Sequence, residues 1–383
     1  MAGVEADVAV VGAGPAGAAA ALFAAQSGRR VVVFDRATFP RDKACGEGLM
    51  PPGPRMLDEL GLHDAILGTG APRIHGIVIA AAGQVTEPSP FPRGETGLGV
   101  RRLRFDAVLS SRLERDPLID YHQGVTVERV VPGRVPRVVT SAGEVGARVV
   151  AVADGLRSNL RRQLGWTRGP RPPHRYGIVG HWRSSFPSDP WIRLTIHSGF
   201  ESYRAPVGPD EHLVALLCSH ERMASFANGL TQQYRSLVLA THPDLEKAEL
   251  GPGVSAIGPF RHRASTVAGD GIFLVGDASG FVDPITGEGL ASGLEQAKAF
   301  SQALAHPHPE AHYRRLHRGI TANRWRLTAL LVYLASNPGR VARAMRGLTQ
   351  RPSVMPALLG INLGYWGFGR VTPREWVALL AGW

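Results

Sequence analysis

The sequence predicts a mixed α/β (α+β) fold: a parallel Rossmann-type sheet, an antiparallel-sheet domain interleaved with it, and a helical C-terminal region. Three observations carry this expectation. The chain opens on a strand, glycine turn, helix and second strand. Residues 176–218 hold short apolar runs separated by Pro, Gly, Ser and Asp, as antiparallel strands do. Beyond Pro309 the spacing is helical, with breaks expected at Pro338, Pro352, Pro356 and Pro373.

In the opening unit, Asp7 to Gly12 is a valine-rich run followed at once by glycines and an alanine-rich stretch from Ala16 to Ser27. Gly28 ends that helix and Arg30 to Asp35 is a second buried strand, so a right-handed crossover and a parallel sheet follow. Leu103 to Asp116 and Ser158 to Leu164 have helical spacing, whereas Val125 to Val130 and Arg148 to Ala153 read as strands. Gly271 to Gly276 returns to a buried strand and Gly289 to Ala305 to a helix. On this reading residues 1–75, 95–170 and 265–308 form the nucleotide-binding domain, residues 76–94 and 171–264 the substrate-binding sheet domain, and residues 309–383 the helical region.

Composition narrows the function classes. No window approaches the roughly 18 uncharged apolar residues of a membrane span, and the first residues run almost directly into a strand, so a soluble cytoplasmic protein is expected. Cys45 and Cys218 lie far apart without metal-type spacing, which indicates neither a metal site nor a disulfide framework. The net charge of +11 rests on scattered arginines rather than a basic patch, which argues against nucleic acid.

Gly12-Ala13-Gly14-Pro15-Ala16-Gly17 is a G-x-G-x-x-G at a strand-to-helix junction. The first glycine permits the turn, the second lets backbone approach a pyrophosphate, and the third allows close helix–strand packing. Asp35 lies 18 positions after Gly17, where a carboxylate accepts hydrogen bonds from an adenosine ribose, and Arg36 stands beside it. A merely structural turn would not need the flanking strands and the terminal acid together.

A second motif, Gly276-Asp277-Ala278-Ser279-Gly280 followed by Asp283-Pro284-Ile285-Thr286-Gly287-Glu288-Gly289-Leu290, ends a strand and opens a helix. Here the chain resembles the p-hydroxybenzoate hydroxylase superfamily, whose Rossmann domain is of the GR2-like kind. The resemblance implies FAD, with Asp277 on the ribityl chain and Pro284, Gly287, Gly289 and Leu290 at a helix N-terminus aimed at the flavin pyrimidine. A third segment, Asp154-Gly155-x-x-Ser158-x-x-Arg161, matches the same family and implies contacts to the FAD pyrophosphate region and to NAD(P)H as a transient donor. By itself it could be a turn plus an N-cap. Arg102 falls where the family places a pyrophosphate-binding arginine, and Val127 is the candidate adenine contact.

Lys43-Ala44-Cys45-Gly46 resembles the K-x-C-G segment of the geranylgeranyl reductase and halogenase-like branch, where the cysteine lies against the flavin. Cys45 is therefore the candidate catalytic residue, and Cys45 and Gly46 candidate flavin contacts; the bland alternative is a small buried hydrophobe. The halogenase W-x-W-x-I-P signature is missing, and the aromatic segment of the reductases survives only as Tyr203-Arg204-Ala205-Pro206-Val207. The first expectation is a monooxygenase acting on a hydrophobic polyketide, aromatic or lipid-like molecule. The second is an alkene reductase, and the third a flavin electron-transfer protein without a substrate of its own. The apolar tail, Leu327 to Ala335 and Ala357 to Phe368 around a basic Arg340 to Arg346, reads either as core cover or as a peripheral membrane contact.

Overall fold

The computed structural model describes residues 5–168, 174–185 and 189–382. Five strands pair in parallel in the order Ile119–Gln123, Val31–Asp35, Ala6–Val11, the second half of Gly143–Val152, and Ile272–Leu274. Their valine-rich sequences suit a sheet covered on both faces. The helix Pro15–Gln26 returns the chain from the first strand to the second; it starts with Pro and is buried almost all round. Alanines at Ala18 to Ala21, Ala24 and Ala25 give high helix propensity and let this helix lie close to its neighbours.

The strand Gly143–Val152 has two halves. Its first half carries an antiparallel hairpin, Val127–Val131 with Arg137–Thr140, and its second half joins the parallel sheet.

The second sheet is built from Arg175–Arg183, Glu211–Ser219, Phe200–Pro206 and Trp191–His197, each antiparallel to the next. One difference from expectation is that Gly76–Ala81 joins this sheet parallel to Trp191–His197. A parallel partner needs a long connection, and the segment supplying it is the intervening nucleotide-binding domain. The helix Leu230–Thr241 covers one face, seating Tyr234 under Trp182 with the indole N–H donating to the phenol oxygen at 3.1 Å. The boundary drawn between residues 170 and 171 lies outside the described residues.

Past residue 308 come the helices Pro309–Ala335, Pro338–Gln350, Val354–Asn362 and Pro373–Ala381. Pro338 and Pro373 open helices, as their locked φ and missing N–H allow. Pro356 does not break the chain: it lies in the first turn of Val354–Asn362, where its N–H would have had no acceptor in the helix. The apolar stretches of the tail point inward, with Leu327, Leu334, Val354, Leu358, Leu359 and Ile361 in the main core. Among the described residues no helix is long and apolar enough to cross a membrane.

Candidate active site

A cavity opens at the carboxyl ends of the parallel strands, between the glycine loop and one face of the second sheet. Ligands of open α/β sheets bind at this place because strand ends deliver loops and helix N-termini there.

The three glycines of the first motif do three different jobs. Gly12 has φ +99°, and a Cβ there would stand 2.5 Å from the Ala153 carbonyl oxygen; a Cβ on Gly17 would stand 1.8 Å from the Gly12 carbonyl oxygen. Both are demanded by the protein itself. Gly14 is not: its conformation is extended, and the nearest atom to a Cβ there is Arg41 Nη2 at 3.6 Å, ordinary contact. Space kept open where the chain does not need it fits a pyrophosphate lying on the helix N-terminus beside Pro15 and Ala16. The Asp35 carboxylate holds this loop, accepting from the Ala13 N–H at 2.7 Å and the Ala37 N–H at 2.8 Å. A lone pair remains on each oxygen for a ribose hydroxyl. Arg36, beside it, is exposed.

Val127 lies just past the end of the second strand. The residue bonded to the end of the second strand is Val125, whose N–H donates to the Asp35 carbonyl at 2.9 Å, while Val127 pairs with Thr140 inside the hairpin. Beyond Val125 the chain leaves the parallel sheet for that hairpin.

The second and third motifs interlock. The Arg161 guanidinium donates to the carbonyl oxygens of Ala278 at 2.8 Å and Asp277 at 3.4 Å, so the arginine of D-G-x-x-S-x-x-R braces the Gly-Asp turn. Ser158 caps the short helix that aims it, accepting from the Arg161 N–H at 3.0 Å. From the other side Gln296 accepts the Gly276 N–H at 2.8 Å, and Ser279 donates to the Gly276 carbonyl at 2.8 Å while meeting His317 Nε2 at 2.8 Å. Burial lowers the His317 pKa to about 4, so this brace is neutral near pH 7. Asp277 lines the cavity, and burial raises its pKa against the pull of Lys43, Arg102 and Arg161. Among the described residues its carboxylate has no hydrogen-bond partner, which leaves it to receive a ligand's hydroxyls.

Asp154 is also held up in pKa by burial, and its Oδ1 is buried without a partner; Gly155 borders the cavity at φ +87°. Pro284, Gly287, Gly289 and Leu290 line the opposite wall, where the helix Gly289–Ala303 begins. Asp283 ties that turn to the second sheet through Arg175 at 3.1 Å, and Arg175 in turn binds Glu201 at 3.0 Å.

Lys43, Cys45, Gly46 and Arg102 complete the site. Arg102 spends Nε and Nη2 on Asp106 at 2.7 and 2.6 Å, so only its remaining N–H donors are available to a phosphate. Arg41 shares the same carboxylate at 2.9 Å. A Cβ on Gly155 would stand 3.1 Å from Lys43 Nζ, which places the amine against the third motif. Arg41, Lys43 and Arg102 thus converge beside the Gly14 helix end, a donor set suited to a diphosphate. Enclosure pushes the Cys45 thiol up, opposed by Arg102 and by the Glu47 N–H that points at Sγ from 3.4 Å, so at neutral pH the sulfur carries its proton. Tyr203 stands close by. Its buried hydroxyl has no partner and its pKa is raised by burial, so it too is a neutral donor. Apart from Glu47, much of the remaining wall is apolar, with Leu156, Val179, Leu217, Ile257, Phe260 and Phe281.

Sequence reasoning missed Arg41, Lys43 and Tyr203 as site residues. Lys43 had a signal. The chain uses lysine only three times among 43 basic residues, so a lysine kept in a glycine-flanked loop asks for an ammonium in particular. Tyr203 stood in the sequence only as the first residue of a degraded aromatic segment, and it reaches the cavity from a strand of the other sheet.

Asp35 behind the glycine loop, Gly14 with the cation cluster, and Asp277 fit the adenosine ribose, diphosphate and ribityl parts of FAD in order, and define an FAD-dependent oxidoreductase. The chain belongs to the FAD binding domain family of the p-hydroxybenzoate hydroxylase superfamily, whose model matches residues 5–329. It is 36% identical over 319 residues to the menaquinone reductase of Mycolicibacterium smegmatis, covering 78% of this chain and 76% of that protein. It is 26% identical to the squalene monooxygenase of Mus musculus, covering 78% of this chain and 54% of that protein. A flavoprotein/dehydrogenase from Cytophaga hutchinsonii shares the fold with a TM-score of 0.80 at 20% identity, over 94% of this chain and 93% of the other.

An Asp277→Ala protein is expected to bind FAD more weakly by about 1.5–3 kcal/mol, the range for a hydrogen bond to a charged group. Its apoprotein should not be destabilised, since burying this carboxylate is itself unfavourable. Flavin titration of the apoprotein, with thermal melts of both apoproteins, checks the two halves; unchanged affinity would count against the ribityl contact.

Proposed function

We propose that this protein catalyses FAD-dependent reduction of a carbon–carbon double bond in a polyprenyl lipid of quinone type. The observation that carries the reading is Cys45: a protonated thiol at the wall of an apolar cavity, in the K-x-C-G segment beside the flavin-binding residues. The identity to a protein named for menaquinone, a polyprenyl quinone, supports the same substrate class. Reduced FAD supplies two electrons and one hydrogen to such an alkene. Adding hydrogen to both carbons needs one further proton, and Cys45 Sγ holds one in reach of the cavity. Its acid strength is kept from falling further by Arg102 and the Glu47 N–H. Tyr203 shares the wall as a second neutral donor. The apolar residues Val179, Leu217, Ile257 and Phe260 exclude water from the reacting carbon atoms.

Oxygenation of a hydrophobic molecule is the second reading, because the same dry cavity would serve it and a squalene monooxygenase is among the relatives. Product mass separates them. With menaquinone, NAD(P)H and the flavin-loaded protein under air, reduction gives a product heavier by two hydrogens on its side chain, formed equally well under nitrogen. A product heavier by one oxygen, with oxygen uptake in step, would replace the proposal by the second reading.

A further inference from the structure

Glu288 is a buried carboxyl that the site described above does not use. It stands between Gly287 and Gly289, which both line the flavin cavity, and it immediately precedes the helix Gly289–Ala303. An acid at this position would ordinarily cap the helix. Glu288 does not: its side chain makes no capping bond, and its Oε2 is closed off without a partner. Three charged groups act on it. Arg324, from the helix Pro309–Ala335, favours the carboxylate, whereas Glu295, two turns along Glu288's own helix, and Asp277, from the Gly-Asp turn, oppose it. Arg324 is already engaged by Glu295 at 2.6 Å and donates to the carbonyls of Asn362 at 2.9 Å and Leu363 at 2.8 Å. Burial outweighs the attraction that remains and pushes the Glu288 pKa up to about 6. Near pH 7 the group is therefore a weakly held carboxylate, and a modest change in nearby charge decides whether it carries a proton.

With FAD set along the cavity from Gly14 past Asp277, its ring comes against the wall of Pro284, Gly287 and Gly289. Two electrons and one proton leave that ring with one negative charge. We propose that Glu288 is the proton-linked partner of the flavin: it is ionised beside oxidised FAD and binds a proton from solvent when FAD is reduced. Two electrons and two protons then enter together, one proton on the ring and one on the carboxylate, and the net charge of the site is unchanged. The driving force is the repulsion between the reduced ring and the carboxylate across a water-poor wall, where charges are weakly screened. Glu288 acts on the ring through charge and not by contact, so it is a positioning residue for the proton. The inference rests on the placement of FAD and holds for either reaction considered above.

The test is a redox titration of the flavin-loaded protein against reference dyes from about pH 5 to about pH 8, for the parent and for Glu288→Gln. A group that binds a proton only in the reduced state makes reduction harder as pH rises. Above about pH 6 the parent's midpoint potential should therefore fall more steeply than the variant's, by up to about 30 mV per pH unit for one extra proton on two electrons. Toward about pH 5 Glu288 is protonated in both states, and the two slopes should become equal. The reduced-minus-oxidised infrared spectrum of the parent at neutral pH should gain a carboxylic acid C=O band that Glu288→Gln lacks. Where that variant does not retain flavin, Glu288→Asp decides: it keeps a carboxyl on a shorter side chain, so the band should be displaced. Equal slopes in parent and Glu288→Gln, a band that persists in Glu288→Gln, or one that stays unmoved in Glu288→Asp overturns the proposal and gives the proton to another group, such as Asp277 or the ring. None of these measurements needs a substrate, so failure of the proposed reaction leaves them standing.

Discussion

A Gly14→Val protein is expected to fold as well as the parent and to purify without FAD. The backbone at Gly14 is extended, which valine accepts readily, and the first protein atom a Cβ would meet is Arg41 Nη2 at 3.6 Å. Nothing in the apoprotein opposes the substitution, so its stability should stay within about 1 kcal/mol of the parent apoprotein. The volume taken is the place where a pyrophosphate must approach the helix N-terminus, so flavin retention should fall below detection. Gly17→Ala makes the contrasting case. Its Cβ would stand 1.8 Å from the Gly12 carbonyl oxygen, so the helix must move off the strand, at about 1–3 kcal/mol of stability even without ligand. The comparison uses apoproteins on both sides, because bound flavin stabilises by mass action and would otherwise exaggerate the loss in the valine variant. Flavin absorbance after purification and urea unfolding of the apoproteins are the measurements. Stoichiometric FAD in Gly14→Val would refute the placement of the diphosphate.

Cys45→Ser should lower turnover about a hundredfold or more while leaving FAD content unchanged. General-acid catalysis contributes about 10²–10⁴-fold, and a serine hydroxyl is a far weaker acid than a thiol of similar volume. The serine keeps most of the packing, so the flavin cavity should keep its shape. Arg102 and the Glu47 N–H, which favour the thiolate left after proton transfer, have no comparable anion to act on in the serine variant. Rates with menaquinone under nitrogen and under air, with oxygen uptake and the flavin spectrum, decide it. A mild effect with normal oxygen uptake would shift the reading to oxygenation, where the side chain has no proton to deliver.

Local pattern alone specified the nucleotide half. The strand, glycine turn and helix at Ala6–Gln26 depend on residues adjacent in the chain: β-branched runs, glycines at forced turns and an alanine-rich helix. The backbone turns that require Gly12 and Gly17 and the turn at Gly276–Asp277 were legible for the same reason, whereas Cys45 was singled out by the family resemblance rather than by its own spacing. Tertiary structure decided what long-range pairing decides. Arg161, the last residue of a segment that the resemblance places near the FAD pyrophosphate, braces the Gly-Asp turn because its helix packs across from residues more than a hundred positions away. Two of Arg102's donors were taken by Asp106. Gly76–Ala81 joined the second sheet in parallel, because partner choice between strands depends on register across the fold rather than on either strand's composition. Tyr203 showed in the sequence only as part of a degraded aromatic segment; its unpaired hydroxyl beside Cys45 emerged only when packing had closed an apolar wall around it.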